Sequence, residues 1–401
     1  MNRTFTLIVG FLILFASEIL RVYLIMPFPG SQQSNSIKFA YALDQNIWWI
    51  RLVGLALIAY PLYKAFKSGK RPRIVGLSIV LILYIGIFWL FNFKFLAEKM
   101  FYQPTNKSMV KNEGSTIPVG KLVIGVALNG DARAYPIEII AYHHQVRDTV
   151  GGVPVMVTYC SVCRTGRVYS PELNGKLEDF RLVGMDHFNA MFEDLTTKSW
   201  WMQATGQAVA GPLTGTSLKE IPSEQMRLSS WLKKYPASLI MQKDTLFAKS
   251  YKQLAGYDQG TIPDELEKRD TKSWQNKSWV VGVKIDNLRR AYDWNNLLSA
   301  GIIEDTLNGQ PILVYVEGDN VTFHAWKRNP DGQVLNFEKD STGMNLKDVQ
   351  THSLWTSQGD CIDGALKGKS LEKIPAYQEF WHSWRQFQPG TSAFAVDSTK
   401  K

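Results

Sequence analysis

Apolar residues gather in long unbroken runs over the first 95 positions and in short alternating runs after them. Three long runs cover residues 5–26, 47–66 and 74–93. Each is near the ~20 residues that a membrane-spanning helix needs. Trp48, Trp49, Tyr84 and Trp89 suit the water–lipid boundary. A cleaved signal peptide fits the first run poorly: the run is too long, and Glu18 and Arg21 stand where small residues would mark a cleavage site. Glu18 and Arg21 are three apart on one helix face and can pair there. Residues 1–95 therefore read as a transmembrane region of three helices.

Beyond residue 95 the pattern becomes that of a folded, water-facing domain, and it repeats. GVALNGDARAYPIEIIAYHHQVRDTVGGVPVMVTY, from Gly125, aligns with GVKIDNLRRAYDWNNLLSAGIIEDTLNGQPILVYV, from Gly282. Arg133 meets Arg290, Tyr135 meets Tyr292, Asp148 meets Asp305 and Pro154 meets Pro311. GPLTGTSLKEIP, from Gly211, aligns with GALKGKSLEKIP, from Gly364, and Trp231 then meets Trp384. The repeat exceeds a hundred residues, which means a duplicated domain and not a solenoid. The copies span residues 121–236 and 280–389, with a polar connector between them. Each copy reads as a hairpin, turning at Asn129-Gly130 in the first, followed by a short helix over residues 136–143. An apolar strand, a second hairpin (at Asn174-Gly175 or Asp331-Gly332) and a closing helix complete it. The fold class is α+β, mainly antiparallel, with the outer domain internally duplicated.

Charge adds an orientation. Lys64, Lys67, Lys70, Arg71 and Arg73 crowd the loop between the second and third runs, whereas the previous loop carries only Lys38 and Asp44. Positive loops stay in the cytoplasm. The N-terminus is then cytoplasmic and the outer domain periplasmic or extracellular. The net charge of +9 suits an anionic membrane surface. No nucleic-acid-binding motif accompanies it, so the expected partner is the membrane and not nucleic acid.

The candidate chemistry lies in the first copy. A strand delivers Cys160 and Cys163 in VPVMVTYCSVCRTGR, and His143-His144 lies just upstream. The second copy has Glu317 and Asn320 in place of the cysteines, and Ala300 and Gly301 in place of the histidines. The fold is made without them, so the second copy reads as degenerate. Two thiols at this spacing can ligate a metal or form a disulfide. Zinc or copper would take Cys160 and Cys163 with His143 or His144, and a further group such as His187 or Asp186. The alternative is a thiol–disulfide exchange module using Cys160 and Cys163, with Arg164 and Arg167 near the thiolate. A third reading is a non-catalytic binding or scaffold protein. Arg164 directly after the second cysteine excludes c-type haem attachment. Asp194, Thr197, Ser199 and Gln203 form a possible polar site beside Trp201; Trp355 mirrors Trp201 in the second copy, which also suits a structural role. Asn106-Lys107-Ser108 and Asn276-Lys277-Ser278 match glycosylation sequons.

These residues, in this order, resemble the uncharacterised family called domain of unknown function 3179. The resemblance rests on Ala134-Tyr135-Pro136, His143 with Asp148, Thr158 to Cys163, the segment Asp194, Thr197, Ser199 and Trp201, and Gly211 to Thr216. Two positions depart from the family pattern: Arg164 replaces a usual glycine, and His144 a usual acidic residue. The resemblance implies no reaction.

Overall fold

The computed structural model describes residues 2–341 and 343–395. The chain forms two compact units, one of residues 1–102 with 173–218, the other of residues 103–172 with 219–401.

In the first unit the apolar runs become helices α1 (Arg3–Tyr23), α3 (Ile47–Lys67) and α4 (Arg71–Phe93), with a short α2 (Ile37–Gln45) between the first two. These are the three helices among the described residues that are long and apolar enough to cross a membrane. Leu12, Trp48, Trp49, Ile82 and Ile85 point outward, and α4 buries none of its residues. A helix apolar on its outer face suits lipid as solvent. Helices α1 and α3 approach closely where small residues allow it: a methyl added to Gly10 would strike Ile58, and one added to Gly54 would strike Leu14.

The buried charges of this bundle differ from the expected local pair. Glu18 takes Arg51 of α3, at 2.7 and 2.8 Å, and not Arg21. Asn92 of α4 donates to Glu18 at 2.9 Å and accepts from Arg51 at 2.7 Å. Arg21 turns to Asp44 of α2 at 2.7 Å. Paired groups from four helices avoid leaving a charge alone in an apolar medium. The unit also holds an antiparallel sheet of strands Phe180–Asp186, Asn189–Asp194, Trp200–Met202 and Ala208–Ala210.

The second unit contains the core sheets of both copies. In the first copy, Leu122–Leu128 pairs antiparallel with Asp131–Pro136 and, on its other side, with Glu224–Arg227; Leu239–Met241 adds parallel to Asp131–Pro136. In the second copy, Trp279–Ile285 pairs likewise with Leu288–Asp293 and Ala376–Phe380, and Ser392–Ala393 adds in parallel. Three-stranded meanders also match: Gln145–Val150, Val153–Cys160 and Thr165–Tyr169 against Ile302–Leu307, Gln310–Val316 and Phe323–Lys327. Asn129 and Gly130 both take positive φ, as the hairpin chemistry requires. The Asn174-Gly175 hairpin forms, between Glu172–Leu173 and Lys176–Leu177, whereas Asp331-Gly332 lies in a short 3-10 turn, Pro330–Gly332.

The shared framework residues have shared jobs. Asp148 accepts from Tyr135 at 2.7 Å and Arg133 at 2.9 Å, and Asp305 accepts from Tyr292 at 2.7 Å and Arg290 at 2.6 Å. Trp231 and Trp384 are fully buried, each lying flat against a glycine, Gly125 and Gly282, with no room for a methyl group. One asymmetry separates the copies. Segment 173–218 of the first copy belongs to the compact unit of the apolar helices, while its counterpart in the second copy, with strands Phe337–Lys339 to Cys361–Asp363, stays with its own sheets.

Because the two glycines do the same work, Gly125→Ala and Gly282→Ala should each destabilise the protein by about 1–3 kcal/mol through overpacking. Chemical denaturation followed by tryptophan fluorescence would check this, and a neutral result at either site would contradict the shared packing. In the bundle, Arg51→Met alone should cost more than Glu18→Gln with Arg51→Met, since only the single change strands a buried carboxylate. Thermal unfolding in detergent compares the two.

Candidate functional site

The strand Val153–Cys160 ends at its cysteine because the chain must reverse there. Arg164 N–H donates to Ser161 O at 3.2 Å, and Cys160 pairs with Thr165 as the next strand begins. Cys160 and Cys163 thus sit at the two ends of one tight turn, and both are fully buried thiols. Arg164 takes φ 56°, the left-handed region that glycine enters without strain. The departure from the family glycine is therefore at a position where glycine would be the easy choice. The arginine offsets the strain by burying its guanidinium 3.7 Å from the Trp279 ring centre and donating from Nε to Gln378 at 2.9 Å.

Residues of the second copy and the connector enclose the turn. Phe380 N–H donates to Cys163 O at 3.0 Å. Lys277 Nζ donates to Val162 O at 2.7 Å and to Leu266 O at 2.6 Å. The His382 ring meets Val162 O through Nε2 at 3.3 Å. Ser383 Oγ lies 3.2 Å from Thr165 Oγ1, and Ser161 donates to Glu267. Burial pushes the Cys163 thiol well up, and the neighbouring Cys160 thiol adds to this; Ser383 and the Lys277 charge pull it back only in part. Cys163 is thus held as a neutral thiol at neutral pH. Burial lowers Lys277, and the two sulfurs oppose that. Burial, with the Lys277 charge, brings His382 down to about 3.

The expected histidines occupy other surroundings. His143 ends the helix Ile137–His143, with its ring among Tyr142, Phe247 and Tyr251 and its Nε2 2.6 Å from Tyr251 Oη. His144 caps that helix in the left-handed conformation, φ 62°, its Nδ1 3.1 Å from Tyr142 O. Its counterpart Gly301 has φ 71° at the same cap, so the glycine opposite was the sequence signal for a backbone role. His187 sits in the turn between Phe180–Asp186 and Asn189–Asp194, bonded to Asp186 at 3.0 Å, in the other compact unit. Among the described residues no three His, Cys, Asp or Glu side chains gather as metal ligands would. Cys160 and Cys163 are the donor pair that stands together.

The possible polar site has its carboxylate committed. Asp194 Oδ2 accepts from Trp201 Nε1 at 2.9 Å, Thr197 Oγ1 at 2.7 Å and Ser199 N at 3.1 Å. Asp348 repeats this with Trp355, Thr351 and Ser353. Gln203 accepts from Asn189 at 3.0 Å. The knot secures a buried tryptophan in both copies.

Sequence reasoning missed Lys277, His382 and Ser383, which reach the turn from more than a hundred residues away. It named Glu317 and Asn320 in place of the cysteines, but not the partners that Glu317 gathers. Glu317, at the position of Cys160, accepts from Ser230 at 2.9 Å and Gln358 at 2.7 Å, and lies 2.8 Å from His324. His324 stands where the first copy has Arg167. The glutamate opposite a cysteine, with a histidine seven residues on, was the available signal.

The neutral imidazoles give a pH dependence. His144 is lowered from 6.5 to about 4 by burial, and His382 lower still. Unfolded, both would take up a proton near their ordinary value, so their contribution is full above it and is lost as pH falls from about 6.5 towards 4. Melting temperature should therefore drop between pH 7 and 4.5, less steeply in His382→Asn. Equal slopes in the two proteins would refute the buried neutral imidazole.

The model of the family described as "Protein of unknown function (DUF3179)" matches residues 102–391. No curated protein and no solved structure matches the chain. The chain belongs to that family, as the motif order suggests.

Proposed function

We propose that this member of the uncharacterised DUF3179 family is a membrane-anchored protein whose outer domain carries a gated dithiol–disulfide couple, Cys160 and Cys163. The observation that carries the reading is the contact of two thiols across one turn, with the Lys277 ammonium beside them. In the step, the Cys163 thiolate attacks one sulfur of a disulfide-bearing partner, and the first partner thiolate leaves. Cys160, as thiolate, then attacks Cys163 and releases the second partner thiolate. Two cysteine thiols become one disulfide, and one partner disulfide becomes two thiols, with both protons passing to the products. Lys277 favours the thiolate form during attack. Full burial makes opening of the turn a required first stage, and protects the pair from adventitious oxidants between turnovers.

The basic residues at the end of α3 and the start of α4, Lys64, Lys67, Lys70, Arg71 and Arg73, support a cytoplasmic N-terminus and a periplasmic or extracellular outer domain. A disulfide persists in such a compartment. A second reading keeps the metal, zinc or copper, on the same two sulfurs. It is favoured by the adjacent thiols and by the His382 ring at Val162, between them in sequence. His143 or His144 would have to leave its present partners to join.

The test combines elemental analysis of the full chain in detergent with mass measurement before and after mild oxidation. The expected result is no stoichiometric metal and a reversible loss of two hydrogen masses, absent in Cys160→Ser. That variant should stay folded, since the second copy folds with Glu317 there. Stoichiometric zinc or copper that disappears in Cys160→Ser would establish the metal reading instead. Unchanged mass without metal would leave the pair purely structural.

A further inference from the structure

A cleft of about 530 Å³ opens between the two copies. Its lining joins Glu220, Glu224 and Lys234 of the first copy to His324, Lys373 and Tyr377 of the second. The two copies meet here as near-exchangeable partners. Gln225 Nε2 lies 3.4 Å from Gln378 Oε1, and these two occupy the same position in their copies. Glu220 and Lys373 also correspond, as do Glu224 and Tyr377. Tyr377 donates to Glu220 at 2.8 Å, and Lys373 to Glu224. The same pair of positions is thus used twice, once with Glu and Tyr and once with Lys and Glu.

That exchange leaves the charges uneven. Glu220 has the Tyr377 hydroxyl and faces Arg167 at 3.7 Å. The Glu317 carboxylate has His324. Glu224 serves two ammonium groups at the cleft, Lys234 at 3.0 Å on Oε1 and Lys373 on Oε2. Burial pushes Glu224 up, but the two lysines outweigh it and hold it below the ordinary carboxylate range. Burial brings Lys373 down to about 8, with the Lys234 charge acting the same way and Glu224 opposing. Against its burial, Lys234 is raised by Glu224, so Lys373 is the cation of the pair that burial and its neighbour press hardest. Beside them the wall is apolar, with Phe323, Ile374 and Pro375. A concave, mainly apolar wall with a few converging polar groups, at this volume, suits a small molecule.

We propose that this cleft binds a small organic acid, its carboxylate held between Lys234 and Lys373 and its apolar body against Phe323, Ile374 and Pro375. The incoming carboxylate brings a second negative charge to two ammonium groups that share Glu224. The proposal stands apart from the thiol reading, since it uses none of the groups at the cysteine turn.

The experiment uses 4-fluorobenzoate as the probe, with fluorine NMR of the full chain in detergent. Binding should be seen, and 4-fluorobenzyl alcohol, with the same ring and no charge, should bind roughly tenfold more weakly or worse. Lys373→Met and Lys234→Met should each weaken 4-fluorobenzoate by roughly tenfold, while Lys373→Arg keeps most of the affinity. Near-UV circular dichroism checks that the variants keep the fold. No binding to the native chain would overturn the proposal. So would equal binding of acid and alcohol, or Met variants that fold and bind as the native chain does.

Discussion

Each copy of the duplicated domain is completed by a side chain from the other. Ser383, from the closing helix Trp381–Phe387 of the second copy, meets Thr165 of the first. Ser230, from the closing helix Leu228–Lys234 of the first, meets Thr322 of the second at 3.3 Å. The two contacts are the same contact made twice. Phe380 N–H then fixes the cysteine turn at its Cys163 carbonyl. A buried turn must find partners for its backbone, and here the donor comes from the other copy. Neither thiol surroundings nor cleft exists in one copy alone.

Much of the fold was legible because its signals are local or periodic. The apolar runs gave three helices to within a few residues, and the register of Arg133, Tyr135 and Asp148 with Arg290, Tyr292 and Asp305 gave two copies of one scaffold. The site was legible only in part. The cysteines could be placed at the end of a strand, since the apolar run and the turn residues say so. Their neighbours could not, because Lys277 and Ser383 lie about 115 and 220 positions away, and no periodicity relates such distances. The histidines were misleading for a local reason. His144 follows a helix where backbone geometry, and not ligand chemistry, sets the demand, and His143 found an aromatic cage and a tyrosine hydroxyl.

The charges among the apolar helices teach the same lesson. Spacing permits Glu18 to meet Arg21, but Arg51 offers a bidentate grip and Asn92 completes both sides. Arg21 is then drawn to Asp44, which also lies 3.7 Å from Arg181 of the neighbouring sheet, and Arg181 holds Glu193 at 2.8 Å. Within this unit a run of paired charges leads from the C-terminal part of α1 to a strand of the sheet. Its members are fixed by mutual need and not by nearness in sequence.

A duplicated domain held in one chain has a freedom that a symmetric dimer lacks. In a dimer of identical chains every substitution appears twice, so a lysine placed for one face is imposed on the other. Here Cys160 faces a different fate from Glu317, Arg167 from His324, and Glu220 from Lys373, although each pair occupies one position of one fold. The tether also keeps the halves in fixed proportion and makes their meeting intramolecular. Symmetry supplied the architecture, and covalent linkage allowed it to be broken one side at a time.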